Sequence, residues 1–361
     1  MELIFNVIAI KNNIGYASDF ERNGLFEVDI ATGECKFVKM FPNEEIMITR
    51  LHDYAEWIEN RIYFIPAAGK HISVFNTETE EIGTIEIPQF SKKENNNYNP
   101  KLKFIKAIEY NKYLWLIPAT YPGILRLNID TKEVKLINSW IPENGYMFRR
   151  GVRARKNKIY AASGINNNVL IFDMDLESGD VIKVGKTNNG IMDMCECGED
   201  FIMAPRKNGG VIRWNPESKI VDEYDKYPKE FEAGEIVFQY IYEFDSQIIL
   251  VPAHASHGIR FKKENLFIDN DITWKNSRDN KISLIYEHEN RVYFREYLGN
   301  SSIRFFYIEK NNNNLALCQF NVINFDERLK AIKKSAAENH EVIVIKETSA
   351  FGLKEWIKSI V

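Results

Sequence analysis

Residues 60–67 read NRIYFIPA: a polar residue, a run of alternating β-branched and aromatic side chains, then Pro-Ala. Variants of this phrase return along nearly the whole chain. Aligned on its end they are NIGYASD (13–19), RIYFIPA (61–67), YLWLIPA (113–119), KIYAASG (158–164), DFIMAPR (200–206), QIILVPA (247–253) and RVYFREY (291–297). The reference positions Ser18, Pro66, Pro118, Ser163, Pro205, Pro252 and Glu296 are separated by 48, 52, 45, 42, 47 and 44 residues. A period near 45 residues takes precedence over any other fold argument, because repeats share one continuous core.

A second phrase follows each copy after a short loop. Examples are GLFEVDIATGE (24–34), HISVFNTETEE (71–81) and GILRLNIDTKE (123–133). Alternating apolar residues of this type form half-buried strands. The Asp/Asn–Thr–Gly/Glu ends favour a tight turn into another strand. Each unit therefore supplies four short strands, which in the second unit fall near 53–59, 61–66, 71–76 and 82–87. One such sheet cannot bury both faces alone, and radial stacking of copies buries them between neighbours. The reading is all-β: a seven-bladed β-propeller over residues 1–325, each blade contiguous. Helical repeats of similar length would need apolar spacings of three and four, and the chain shows alternation with Pro and Gly breaks instead.

The ring is expected to close by side-chain packing of blade 7 on blade 1, helped by residues 342–345. From about 325 the pattern changes to a helix-strand-helix extension over 326–361, packed on the propeller. FDERLKAIKKSAAEN (325–339) reads as a helix with Asp326 as N-cap. HEVIVIKE (340–347) reads as a strand. AFGLKEWIKSIV (350–361) reads as a second helix with Leu353, Trp356, Ile357 and Ile360 on one face, and Trp356 is expected to be buried.

A formal charge of −4 and a pI near 6.0 argue against a dedicated nucleic-acid binder. No run approaches the ~18 apolar residues of a membrane span. The start MELIFNVIAI lacks a basic region and a small-residue cleavage site. Cys35, Cys195, Cys197 and Cys318 are too scattered for a disulfide framework. Together these features place the protein in the cytoplasm as an expectation. Cys195-Glu196-Cys197 has no neighbouring His–Cys pair and reads as two buried thiols in a strand. Neither metal nor cofactor is expected.

In period and strand order, the seven phrases resemble β-propeller repeat proteins of the kelch or Trp-Asp type across residues 1–325. They lack the Gly-Gly pair of kelch repeats and the Trp-Asp ending. The arrangement is also similar, in architecture, to the seven-bladed virginiamycin B lyase type.

In a propeller the loops between second and third strands, and those linking blades, share one face around the channel mouth. These loops and the early inner strands carry Arg50, His71, Tyr121, Arg149, Arg150, Arg153 and Arg206 as candidate ligand-binding residues. Guanidinium offers a planar donor fork suited to carboxylate or phosphate. The five arginines are expected near the axis, with His254 and His257 at the rim. His254-Ala-Ser-His257 is the most enzyme-like stretch, since neutral imidazole is a general base or metal ligand near pH 7. The sequence thus supports first a non-enzymatic scaffold, recognising a peptide or an anionic small molecule or glycan. The alternatives are a lyase or hydrolase of lactonase or virginiamycin B lyase character, acting on an acidic sugar or cyclic ester through His254 and His257, and an assembly partner docking through its tail.

Overall fold

The repeated phrase forms the second strand of every blade. Arg61–Pro66, Tyr113–Pro118, Lys158–Ser163, Asp200–Pro205 and Gln247–Pro252 each pair antiparallel with an inner strand and with a third strand. The computed structural model describes residues 3–91, 98–142, 145–244, 247–263, 280–298, 303–312, 314–339, 344–345 and 356–357. Within them the chain is a seven-bladed propeller of sequential antiparallel sheets. Blade 2 is His52–Ile58, Arg61–Pro66, His71–Asn76 and Ile82–Glu86, close to the expected bounds. Blade 6 shows three strands among the described residues.

The turn between third and fourth strands is built the same way in five blades. Asp29, Asn76, Asn128, Asp173 and Asn215 each accept two backbone N–H bonds from two and three residues ahead. This side-chain mimicry of a backbone turn is why Asp or Asn recurs there. Between blades the apolar strand faces interdigitate. Trp214 packs on Tyr160 and Phe201, and Trp115 on Phe172. Fully burying a large apolar side chain contributes about 1.5–3 kcal/mol, so these seams carry much of the stability.

Closure differs from the expectation of side-chain packing helped by residues 342–345. Asn321–Val322 add a fifth strand, parallel, to the outer edge of blade 1. Asn321 N–H bonds to Gly33 O at 2.9 Å and Ile323 N–H to Cys35 O at 3.0 Å. Gly33 has φ +76°, and a Cβ there would lie 2.0 Å from Gln319 O, so only glycine admits the latch. Side chains add to it: Phe5 of the first strand stacks against Phe305 and meets Phe320 edge-on. The short chain segment completes what the apolar seam begins. Val344–Ile345 pair with Trp356–Ile357 rather than closing the ring.

The helix Phe325–Asn339 matches its expected bounds. Its preceding residue is Asn324, not Asp326, and Asn324 also clamps the backbone of Phe37 on both sides. Asp326 and Glu327 lie in the first turn, where the helix dipole favours negative charge. The helix rests on blade 1 through Ile332 against Ile46 and through a buried Arg328–Asp19 ion pair. At Trp356–Ile357 the expected terminal helix is a strand pairing instead. The rest of 350–361 and the burial of Trp356 lie outside the described residues. No helix among the described residues is long and apolar enough to cross a membrane.

Candidate functional site

Six of the seven inner strands carry an irregularity near their start, and in blade 7 it falls mid-strand, between Leu284 and Tyr286. Register slips between Phe5 and Val7, His52 and Tyr54, Phe104 and Lys106, Phe148 and Val152, Ile191 and Asp193, and Phe238 and Tyr240. A bulge re-aims the extra residue. The skipped residues include Asn6, Asp53, Ile105, Arg149, Arg150, Met192 and Gln239, and all of these line one cavity at the channel mouth. The slip in blade 4 is the longest and delivers two arginines. Gly164 makes room for one of them, since a side chain there would come within 2.4 Å of Arg149 Cγ.

The cavity is about 430 Å³ and is completed by Phe20, Arg50, Ile236, Lys281, Ser283, Leu284, Arg295 and Tyr297. Its charge is one-sided. Among the described residues, Arg50, Arg149, Arg150, Lys281 and Arg295 face a single lining carboxylate, Asp53. Arg50 grips Asp53 with two bonds, at 2.8 and 2.7 Å, and that pairing raises its pKa. The other arginines are not so matched. Burial, reinforced by the fields of Arg206 and Arg50, pushes Arg149 down to about 10. Burial likewise brings Arg295 to about 10. Arg295 lies sandwiched over Phe20 at 4.2 Å and Tyr297 at 4.9 Å, and donates to Phe5 O. The Nε atoms of Arg149, Arg206 and Arg295 are buried without an acceptor. Unpaired donors on crowded, desolvated cations are the electrostatic signature of a site that gains by holding an anion.

A second chamber of about 280 Å³ lies along the channel and shares Ile105, Arg150 and Leu284 with the first. Its charged groups are of both signs: Lys106, Arg150 and Arg153 with Glu56, Asp193 and Glu287. Arg153 pairs with Asp193 at 3.2 Å, and Asp193 also accepts from Met194 and Ile241 N–H. Tyr240 donates to Glu287 at 2.6 Å and Tyr54 to Glu56 at 2.8 Å. Burial, with the repulsion of Arg153 behind it, brings Lys106 down to about 8.

The sequence-derived candidates divide accordingly. Arg50, Arg149 and Arg150 come together at the mouth, and Arg153 lies deeper, matched by its carboxylate. Arg206 stands behind Arg149, donating to Gly164 O at 3.3 Å. The remaining four do not line either chamber. His71 is buried between Glu44 and Glu86, 3.1 Å from each. Tyr121 is fully buried among Phe90, Tyr98 and Phe104, with its hydroxyl on Pro88 O. His254 Nδ1 accepts the Ile236 N–H, and His257 Nδ1 lies 2.7 Å from Ser256 Oγ. Burial, then the charge of Lys281, lowers the pKa of His254. Among the described residues, no group of three or more His, Cys, Asp and Glu is placed to hold a metal ion. All four cysteines are free, and Cys195 and Cys197 are buried as expected.

Several lining residues escaped the sequence reading. Arg295 occupies the position held by Ala17, Ile65, Ile117, Ala162, Ala204 and Val251 in the other copies, and that contrast was its signal. Asn6, Asp53 and Gln239 are the polar second residues of their inner strands. Lys281 follows a segment outside the described residues and carried no such signal.

No protein-family model and no curated protein matches the chain. Solved structures do match. Virginiamycin B lyase from Staphylococcus aureus superposes with a TM-score of 0.56 at 11% identity, over 89% of this chain and 98% of that one. A streptogramin B lyase gives 0.52 at 14% identity, over 73% and 81%. Dihydro-heme d1 dehydrogenase gives 0.56 at 9% identity, over 85% and 63%. At such identities the likeness is one of fold: the chain is a β-propeller built like these proteins, and its chemistry rests on its own residues.

Proposed function

We propose that the protein binds a small anionic molecule at the mouth of its central channel. The observation that carries this reading is the ring of Arg50, Arg149, Arg150, Lys281 and Arg295 around one cavity in which, among the described residues, Asp53 is the one lining carboxylate. The size supports a small molecule over a peptide, because pockets for such ligands run from about 300 to 1,000 Å³. Guanidinium groups bind carboxylate and phosphate with charge-assisted bonds roughly twice as strong as neutral ones. The fold-level likeness to lyases supports a catalytic channel only as far as the fold goes. His254 and His257 lie off the cavity wall, so they are not assigned a catalytic role.

The test is calorimetric titration and thermal shift with inorganic phosphate and citrate. An anion at 100 times its Kd stabilises the protein by about 2.7 kcal/mol, and added chloride weakens the effect. Arg149→Met removes the response and, lacking an anion, melts no lower than the parent, since it deletes a desolvated cation with an orphaned donor. Lys36→Met, at an exposed position on the outermost of the four sequential strands of blade 1, leaves the response intact. Equal binding by the Arg149→Met and parent proteins, or no binding of either anion, refutes the reading.

A further inference from the structure

The chamber below the mouth differs from it in charge balance, and this constrains what the anion is attached to. A second anionic group there would meet Glu56, Asp193 and Glu287, and a cationic group would meet Lys106, Arg150 and Arg153. A neutral polar group meets neither penalty. The hydrogen-bonding state of the wall is equally uneven. Asp193 is saturated by Arg153 and two backbone N–H groups, and Glu287 by Tyr240 and Lys310. Three groups are not saturated. Lys106 Nζ donates to Val152 O at 3.1 Å, and the rest of its ammonium has no acceptor among the described residues. Arg150 donates through Nη2 to Leu284 O at 2.7 Å, leaving most of its fork open. Glu56 accepts the Tyr54 hydroxyl on Oε2 and nothing on Oε1 among the described residues. Free donors and a free acceptor face one small space. A hydroxyl both donates and accepts, so several hydroxyls on one ligand satisfy all three residues without adding charge. Arg150 lines both chambers and ties the two halves of such a ligand together.

We infer that the occupant is a polyol bearing one anionic group, such as a sugar phosphate or a sugar acid. Its anion sits in the arginine ring and its hydroxyls reach down to Lys106, Arg150 and Glu56. The inference rests on the anion-binding reading of the mouth.

The experiment compares affinities by calorimetry at fixed salt. The probes are inorganic phosphate with glycerol 3-phosphate and glucose 6-phosphate, and acetate with gluconate and glucuronate. At least one polyol anion binds tenfold or more tightly than its parent anion, and the series that wins distinguishes phosphate from carboxylate. In Glu56→Gln, and separately in Lys106→Met, the ratio of polyol-anion to parent-anion affinity collapses towards one. The conservative amide tests the site even if the Lys106 variant folds poorly. If no polyol anion exceeds its parent, or the ratio survives both substitutions while the parent anions still bind, the inference is overturned and the mouth reading stands. If neither parent nor polyol anions bind, both are overturned.

Discussion

Replacing Arg328 by Met tests how the C-terminal helix is held and what it does for the channel. The Arg328 and Asp19 side chains are both almost wholly buried, and they form an ion pair between the helix and the last residue of the second strand of blade 1. Burial outweighs the attraction of Asp19 and lowers the Arg328 pKa, so the pair is held at a desolvation cost. Methionine keeps a flexible apolar stem over Phe26, against which the guanidinium lies at 4.9 Å. What is lost is the countercharge, and an uncompensated buried charge costs about 3–5 kcal/mol. Asp19 keeps one bond from Glu21 N–H, which favours the lower end. The Asp19→Asn, Arg328→Met double variant removes the stranded charge and recovers roughly 1–3 kcal/mol relative to the sum of the singles. Urea unfolding of the four proteins measures the cycle. The next residue is Phe20, whose carbonyl accepts Arg50 N–H at 2.6 Å and whose ring lies under Arg295. Arg328→Met should therefore also weaken phosphate binding at the mouth, although Arg328 lines neither chamber. A single variant within about 0.5 kcal/mol of the parent, or a cycle that is strictly additive, would show that the pair does not hold the helix.

His52 predicts an acid sensitivity. It is fully buried, with Ser18 Oγ 2.9 Å from Nδ1 and no partner on Nε2, and burial lowers its pKa to about 3. The unfolded chain binds a proton near the ordinary value of about 6.5 that the fold refuses. Stability therefore falls as pH drops from there towards 3, by about 1.4 kcal/mol per pH unit; a His52→Gln protein whose urea midpoint keeps the same slope would contradict this. Gly33→Ala forces a Cβ into Gln319 O at positive φ, and strain of this kind costs of order 1–3 kcal/mol. Limited proteolysis should then cut near residues 319–324 in the variant and spare the parent.

The seven copies of the phrase were enough to define the blades, because strand alternation, Pro breaks and Asx turns are local physics written into consecutive residues. NRIYFIPA and its variants placed the strands, and the change of pattern at Phe325 marked the helix. Where the chain closes on itself was not local. The latch of Asn321–Val322 on Glu34–Lys39 joins segments nearly three hundred positions apart and depends on the bare backbone at Gly33. The arginines at 50, 149 and 150 were recognisable as candidates because the blade-linking segments had to converge. The register slip at the start of the blade 4 inner strand turns Arg149 and Arg150 into the cavity, and Arg50 reaches it from the residue pair before the blade 2 inner strand, in left-handed backbone at φ 62°. His71 and Tyr121 illustrate the converse: they stand at the right end of their blades, but their partners, Glu44 with Glu86 and an aromatic cluster, hold them in the wall of the fold. Residue type and spacing determine which side chains reach the mouth of a propeller in principle. Packing and backbone irregularity, which are properties of the assembled ring, determine which of them face the ligand.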